Sequence, residues 1–213
     1  KNPKHQIKIA ICGKYNNLQD SYKSIIEAFI HAGVANNAHI SLDWIDTEKL
    51  ETKNNISSVF KDIDGILIPG GFGDRGIEGK IISSKFAREN SIPFFGICLG
   101  LQCAIIDIAR NCCKLTKANS TEFKSRIQFP VVDLMLKQKK IKYKGASMRL
   151  GNYSCTLNPH TLSQKAYNKK NIRERHRHRY EVNNKFLPIL KKHGLVISGK
   201  NKELNLVEII EYK

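Results

Sequence analysis

Pro93-Phe94-Phe95-Gly96-Ile97-Cys98-Leu99-Gly100-Leu101-Gln102 is the stretch on which the reading of this chain turns. A short apolar run meets a glycine and passes straight into a segment patterned as a helix, so a buried strand and a helix join at Cys98. Gly96-Ile97-Cys98-Leu99-Gly100 is the sulfur version of the Gly-x-Ser-x-Gly elbow, in which a sharp turn lifts the nucleophile above a sheet. Small residues two positions to either side are required because the backbone folds tightly around a strained central residue. A thiol at a helix N-terminus also faces free N–H groups and the positive end of the dipole, which favours the thiolate. A core cysteine beside an ordinary tight turn is the alternative, and the strand–helix junction favours the nucleophile.

Outward from the elbow, strand and helix patterns alternate. Residues 7–13 form an apolar run ending in glycine. Asp20 or Ser21 is placed to cap a helix with Ile25, Ile26, Phe29 and Ile30 on its apolar face and Gly33 as its stop. Residues 39–45 read as a second strand, and residues 65–71 as a buried strand running into a glycine turn. A helix over about 76–90 follows, with Ile77, Ile81, Ile82 and Phe86 on one side. Residues 93–98 are the next strand and 99–113 the next helix. The alternation predicts an α/β fold, a doubly wound, mostly parallel sheet with helices on both faces. Ligands of such sheets bind beyond the carboxyl ends of the strands, where the turns at residues 70–73 and 98–100 fall. From about Lys114 the pattern weakens. Residues 137–144 read as an exposed loop or hairpin tip, residues 173–181 as a charge-dense segment, and residues 195–198 and 204–211 as two strands joined by a polar turn.

With 213 residues, 41% hydrophobic and 26% charged, the chain has ordinary globular chemistry and the length of one domain, read as spanning 1–213. No apolar run reaches the roughly 18 residues needed to span a bilayer, so no membrane insertion and no membrane partner are expected. The net charge of +17 raises nucleic acid as a partner. Yet Lys outnumbers Arg 27 to 9, and Lys, Asn and Ile together make 72 residues, a mix expected of A/T-rich coding. Nucleic-acid sites favour the planar fork of Arg, so no nucleic-acid role is expected. The six cysteines form no Cys-x-x-Cys pair, and Cys112 and Cys113 are adjacent, so a metal clip has no support. Without a signal peptide the thiols are expected to stay reduced, in a cytoplasmic protein.

Gly70-Gly71-Phe72-Gly73 is the second chemical element. An N–H from this turn and that of Leu99 could face an oxyanion formed when Cys98 attacks a carbonyl, each such donor being worth a few kcal/mol of barrier. Alone, a Gly-Gly-x-Gly turn is more often a plain loop. Taken with Pro69, this turn, the elbow through Gln102, Ala118-Asn119-Ser120-Thr121-Glu122-Phe123 and Arg175-His176-Arg177-His178-Arg179-Tyr180-Glu181-Val182-Asn183 resemble the C-terminal glutaminase domain of the CTP synthases. Gly13-Lys14-Tyr15, Tyr22-Lys23-Ser24 and Met148-Arg149-Leu150-Gly151 match too, and the similarity covers nearly the whole chain. The elbow alone indicates a class I glutamine amidotransferase, a flavodoxin-like fold; the other two long segments narrow it to CTP synthase.

The resemblance implies an enzyme domain that hydrolyses L-glutamine and passes ammonia to an N-terminal synthase domain absent from this sequence. There, with ATP and Mg²⁺, UTP is aminated to CTP, a ligase step of pyrimidine biosynthesis, in an enzyme whose synthase half drives tetramers. The glutaminase domain itself holds no cofactor and no metal. Cys98 is implied as the thiolate that forms a glutamyl thioester, and Gly71 and Leu99 as the oxyanion hole. Gly100 and Leu101 are implied to line the glutamine site, and Gln102, Glu122 and Arg179 to hold its amino-acid end. The charges suit this, a carboxylate accepting from the substrate's ammonium and a guanidinium donating to its carboxylate.

The resemblance also carries a departure. The family's thiolate is served by a His-Pro-Glu motif downstream of a segment like Val207-Glu208-Ile209-Ile210-Glu211, and this sequence stops at Lys213. None of His5, His31, His39, His160, His176, His178 or His193 has a Glu two residues later. His178, beside Arg179, is read as shaping the pocket or an interface rather than as the base. The chain is therefore expected to be incomplete at both ends and to have little glutaminase activity as written. A non-catalytic module that binds glutamine or regulates a synthase, and a different class I amidotransferase or Cys hydrolase, remain as alternatives.

Overall fold

A computed structural model describes residues 3–14, 19–134 and 148–212, so the loop read at residues 137–144 lies outside the described residues. The chain divides into two compact units, Lys1–Ala104 and Ile105–Lys213.

In the first unit, β1 (His5–Gly13), α1 (Lys23–Ala35), β2 (Ala38–Asp46), the single-turn α2 (Thr47–Leu50), β3 (Gly65–Ile68), α3 (Ile77–Glu89), β4 (Phe94–Gly96) and α4 (Leu99–Asp107) follow one another. The strands form one sheet in the order β2-β1-β3-β4. All its pairs are parallel, with Ile9 opposite Leu42 on one side and Gly65 on the other, and Ile68 opposite Gly96. The connection through α1 steps one way from β1 and that through α3 steps the other way from β3. Right-handed crossovers therefore put α1 and α3 on opposite faces, the doubly wound arrangement expected. Between β1 and β3 the order reverses, which opens a crevice beyond their carboxyl ends. One face is sealed by Ala10, Cys12, Ile66 and Ile68 packing with Leu50, Phe60, Ile63 and Ala87. Burial pushes the Cys12 thiol up to about 12, as befits a core residue.

Helix α1 departs from expectation at both ends. A 3-10 turn, Gln19–Tyr22, precedes it, and the N-cap position falls to Tyr22, which makes no side-chain capping bond, rather than to Asp20 or Ser21. Gly33 lies inside the helix and Asn36 closes it. A β-carbon at Gly33 would come within 2.7 Å of the Ala38 carbonyl, so this glycine serves close helix–strand approach rather than termination.

Helix α4 ends in five residues of π-helix, Ile108–Cys112, and no helix among the described residues is long and apolar enough to cross a membrane. In the second unit come β5 (Ala118–Ser120), β6 (Phe129–Leu134), β7 (Arg149–Leu157), α5 (Leu162–Tyr167), β8 (Asn171–His178), β9 (Tyr180–Val182), α6 (Leu187–Lys192), β10 (Leu195–Asn201) and β11 (Leu206–Tyr212). The order β11-β10-β7-β8 makes an antiparallel sheet, and β5-β6-β9 a smaller mixed one. The parallel sheet is thus confined to the first unit. The reason lies in the connections: β10 and β11 are joined by four residues, enough for a hairpin and far too few for a parallel crossover.

Candidate active site

Cys98 sits between β4 and α4 with φ +55, the left-handed region that a side chain normally avoids at a cost of roughly 1–2 kcal/mol. The backbone on either side leaves it no alternative. Ile97 N–H donates to the Ile68 carbonyl at 2.9 Å, extending the ladder with β3, and Gly100 N–H returns to the Ile97 carbonyl at 2.9 Å. Gln102 N–H then bonds the Cys98 carbonyl at 3.2 Å, so the first helical turn already closes on the cysteine. A β-carbon at Gly96 would meet the carbonyl carbon and oxygen of Gly100 at 2.5 and 2.6 Å, and one at Gly100 would strike the Ile68 carbonyl oxygen. Both flanking glycines are required by the turn, as the sequence pattern predicted. Cys98 itself is only half-buried, whereas Cys12 and Cys103 are in the core.

The glycine turn after β3 lies against this elbow. A β-carbon on Gly70 would stand 3.5 Å from Cys98 Cβ, and one on Gly71 would stand 3.5 Å from Leu99 Cδ2. Leu99 opens α4, and the first amides of a helix have no carbonyl of their own helix to bond. The first unit therefore brings together Cys98, Gly71, Leu99, Gly100, Leu101 and Gln102, and buries Gln102 and Leu99.

The remaining two predicted residues belong to the second unit. Glu122 follows β5 in a turn where its N–H donates to Ser120 Oγ at 3.2 Å. Arg179 joins β8 to β9. Both act on the buried Tyr180 phenol, whose pKa is raised first by burial and then by Glu122, with Arg179 opposing. The Nε of Arg179 is buried and has no hydrogen-bond partner among the described residues. Such an orphaned donor costs on the order of 1–3 kcal/mol unless something supplies an acceptor.

Around Arg179 lies a network that the sequence did not announce. Arg149, at the start of β7, donates Nη1 and Nη2 to the two Glu208 oxygens at 2.7 and 3.0 Å, and Nε to Glu181 Oε1 at 3.0 Å. His176 Nε2 lies 2.7 Å from Glu208 Oε2, and His178 Nδ1 lies 3.4 Å from Glu181 Oε2. Burial alone would raise the Glu208 pKa, but the bonds from His176 and Arg149 prevail and hold it down to about 2. Four strands, β7, β8, β9 and β11, are cross-linked through these five side chains. His178 is thereby placed as a structural neighbour of Glu181. Met148-Arg149-Leu150-Gly151 and the segment around Glu208 were visible in the sequence only as matches. The usable signal was alternation in β8, which puts Ile172, Glu174, His176 and His178 on one face and three arginines on the other.

Comparison with known proteins decides what this geometry belongs to. The family described as glutamine amidotransferase class-I matches residues 17–213. The chain belongs to the class-I glutamine amidotransferase family. A CTP synthase of Chlorobaculum tepidum is 54% identical over 100% of the chain and 38% of its own length. One of Methanocaldococcus jannaschii is 52% identical over 99% of the chain and 40% of its own length. The solved glutaminase domain of Trypanosoma brucei CTPS with bound acivicin matches with a TM-score of 0.86, at 34% identity over 97% of this chain and 79% of that one. Within the amidotransferases, the chain is thus a glutaminase domain of the CTP synthase type. It spans well under half the length of the curated relatives it matches.

Proposed function

We propose that this domain hydrolyses L-glutamine through a thioester on Cys98. The observation that carries the reading is the left-handed cysteine at the head of α4, held by two glycines that admit no side chain and flanked by the turn at Gly70 and Gly71. Cys98 as thiolate attacks the carboxamide carbon of glutamine, and the electron pair of the C=O bond moves onto oxygen. Gly71 and Leu99 amides stabilise that oxyanion, with Gly100 and Leu101 lining the site. Collapse of the intermediate expels ammonia, which takes its proton from a general acid, and water then releases glutamate from the thioester. Gln102, Glu122 and Arg179 hold the amino-acid end, and the orphaned Arg179 Nε is supplied with an acceptor by the substrate's carboxylate.

In this reading ammonia passes to a synthase domain, where ATP and Mg²⁺ serve the amination of UTP to CTP; the assembly is a cytoplasmic homotetramer formed through that domain. The glutaminase step itself is carried by sulfur, amides, water and a general acid. A chloromethyl ketone analogue of glutamine tests the reading directly. It is expected to modify Cys98 stoichiometrically, to be blocked by excess L-glutamine, and to leave Cys98→Ser unlabelled in peptide mass analysis. Labelling indifferent to glutamine would sink the substrate assignment. Protection by glutamine without any covalent product would mark a binding module instead. Complementation of an ammonia-dependent synthase half by this domain extended through a His-Pro-Glu segment tests the partner.

A further inference from the structure

The turn that faces the elbow is glycine-rich, and glycine is the residue least able to hold a conformation by itself. Amide donors stabilise a transition state only when they are fixed before the reaction begins. In Lys1–Ala104 the turn is gripped by its carbonyls. Lys14, the residue after β1, places its Nζ 2.6 Å from the Phe72 carbonyl oxygen. A β-carbon built on Gly73 would lie 3.7 Å from the same nitrogen, so the ammonium is seated in the curl of residues 70–73. Farther along the loop, the buried Lys80 puts its Nζ 3.3 Å from the Arg75 carbonyl, 3.2 Å from that of Gly76 and 3.2 Å from Thr47 Oγ1. Thr47 Oγ1 in turn donates to the Gly13 carbonyl at 3.3 Å, next to Lys14. The topology explains why Lys14 reaches the turn: β1 and β3 are adjacent and parallel, and both chains leave the sheet at the crevice where the strand order reverses.

We propose that Lys14 is a positioning residue, whose ammonium fixes the Phe72 carbonyl and so holds the Gly71 amide at the place where the oxyanion forms. The proposal rests on the glutaminase reading of Cys98. A charged donor holds a carbonyl more firmly than a neutral one, and it also polarises the Phe72–Gly73 peptide next to the site.

Two probes on the 213-residue chain separate this role from a merely structural one. The Cys98 thiolate adds to the carbonyl carbon of the chloromethyl ketone analogue of glutamine, so that the C=O electron pair moves onto oxygen. The sulfur then displaces chloride, which leaves with the C–Cl electron pair, and the oxyanion re-forms the ketone as the sulfur passes to the methylene carbon. Methyl methanethiolsulfonate forms a disulfide with loss of methanesulfinate and never places charge on a carbonyl oxygen. Lys14→Met is expected to lower the limiting rate of capture by the ketone about tenfold, with its half-saturation changed less than about twofold. The rate with the thiosulfonate and the melting temperature are expected to match the unsubstituted chain. Lys14→Arg, which restores a charged donor, is expected to recover most of the rate. Lys14→Gln serves in place of Met if the latter lowers the melting temperature. Capture of the ketone by both uncharged variants at the unsubstituted rate overturns the proposal, and so does a loss shared equally by both probes. Failure of the unsubstituted chain to be labelled at Cys98 instead removes the glutaminase reading on which the proposal rests.

Discussion

Gly100 packs its α-carbon against Ile68: a β-carbon there would strike the Ile68 carbonyl oxygen and come within 3.0 Å of the Ile68 Cβ. The contact ties the first turn of α4 to the neighbouring strand and fixes the height of Cys98 above the sheet. Gly100→Ala must therefore displace backbone, which cannot yield cheaply, and a loss of about 2–4 kcal/mol is expected. Gly70 offers the control, since its added β-carbon meets Cys98 Cβ at an ordinary 3.5 Å. Gly70→Ala is expected to stay within about 1 kcal/mol of the parent. Urea unfolding of both variants checks the contrast, and equal midpoints would contradict it.

Glu208 supplies a prediction with a definite sign. Its carboxyl is held down to about 2 from an ordinary 4.5, because hydrogen bonds from His176 and Arg149 outweigh its burial in the native state. A depressed native pKa stabilises the fold above the unfolded value and loses that contribution as pH falls through the native one. The contribution is therefore full above about pH 5 and fades toward pH 2, with an upper size of about 3 kcal/mol. Glu208→Gln should flatten the acid limb of the stability profile below pH 5 and lower stability at pH 7 by about 3–5 kcal/mol, since Arg149 is left buried beside a neutral partner. Denaturant titrations from pH 3 to 7 measure both. An acid limb unchanged by the substitution would show that Glu208 is not the titrating link.

The first half of the fold was legible because its information is local. The apolar runs ending at Gly13, Gly71 and Gly96 carry their own punctuation, and Gly96 and Gly100 flank Cys98 at a spacing that only a tight turn demands. Gly33 misled for a physical reason: glycine marks a helix stop and a close helix–strand contact equally well, and the Ala38 carbonyl that decides between them is set by packing. In the second half the deciding contacts are long-range. Arg149 bonds Glu208 across 59 residues and Glu181 across 32, and no pattern in the sequence ties those positions together. Glu122 and Arg179 could be singled out only by resemblance, since a lone acid and one arginine among nine have no distinguishing period.

Arg179 makes the case for a ligand by what its substitution should not do. Its Nε is buried without a partner among the described residues, so the folded protein bears a desolvation cost there. Arg179→Met removes the donor along with its penalty. The melting temperature is expected to hold or rise by a few degrees, while affinity for L-glutamine falls more than about tenfold through the lost charged hydrogen bonds. Calorimetric titration with glutamine and a thermal melt, run on the same preparations, test the two halves. A fall in melting temperature with affinity intact would make Arg179 a purely structural residue.

Turnover, as distinct from capture, tests what else the chemistry needs. An acyl-transfer thiolate works with an imidazole that stabilises it and returns the proton to departing ammonia. None of the seven histidines in the 213 residues is followed two positions later by a glutamate. His176 is bonded to Glu208 and His178 lies beside Glu181, which places both rings in the strand cross-link around Arg149. Loss of one member of such a unit removes most of its advantage, several orders of magnitude in rate. The 213-residue polypeptide is therefore expected to be labelled at Cys98 by the ketone yet to release ammonia from glutamine at least about a thousandfold more slowly than a longer chain that carries a His-Pro-Glu segment after β11. A coupled ammonia assay on the two polypeptides makes the comparison; equal rates would require that a histidine already present serves as the base, and His178→Gln would then be the variant that stops the reaction.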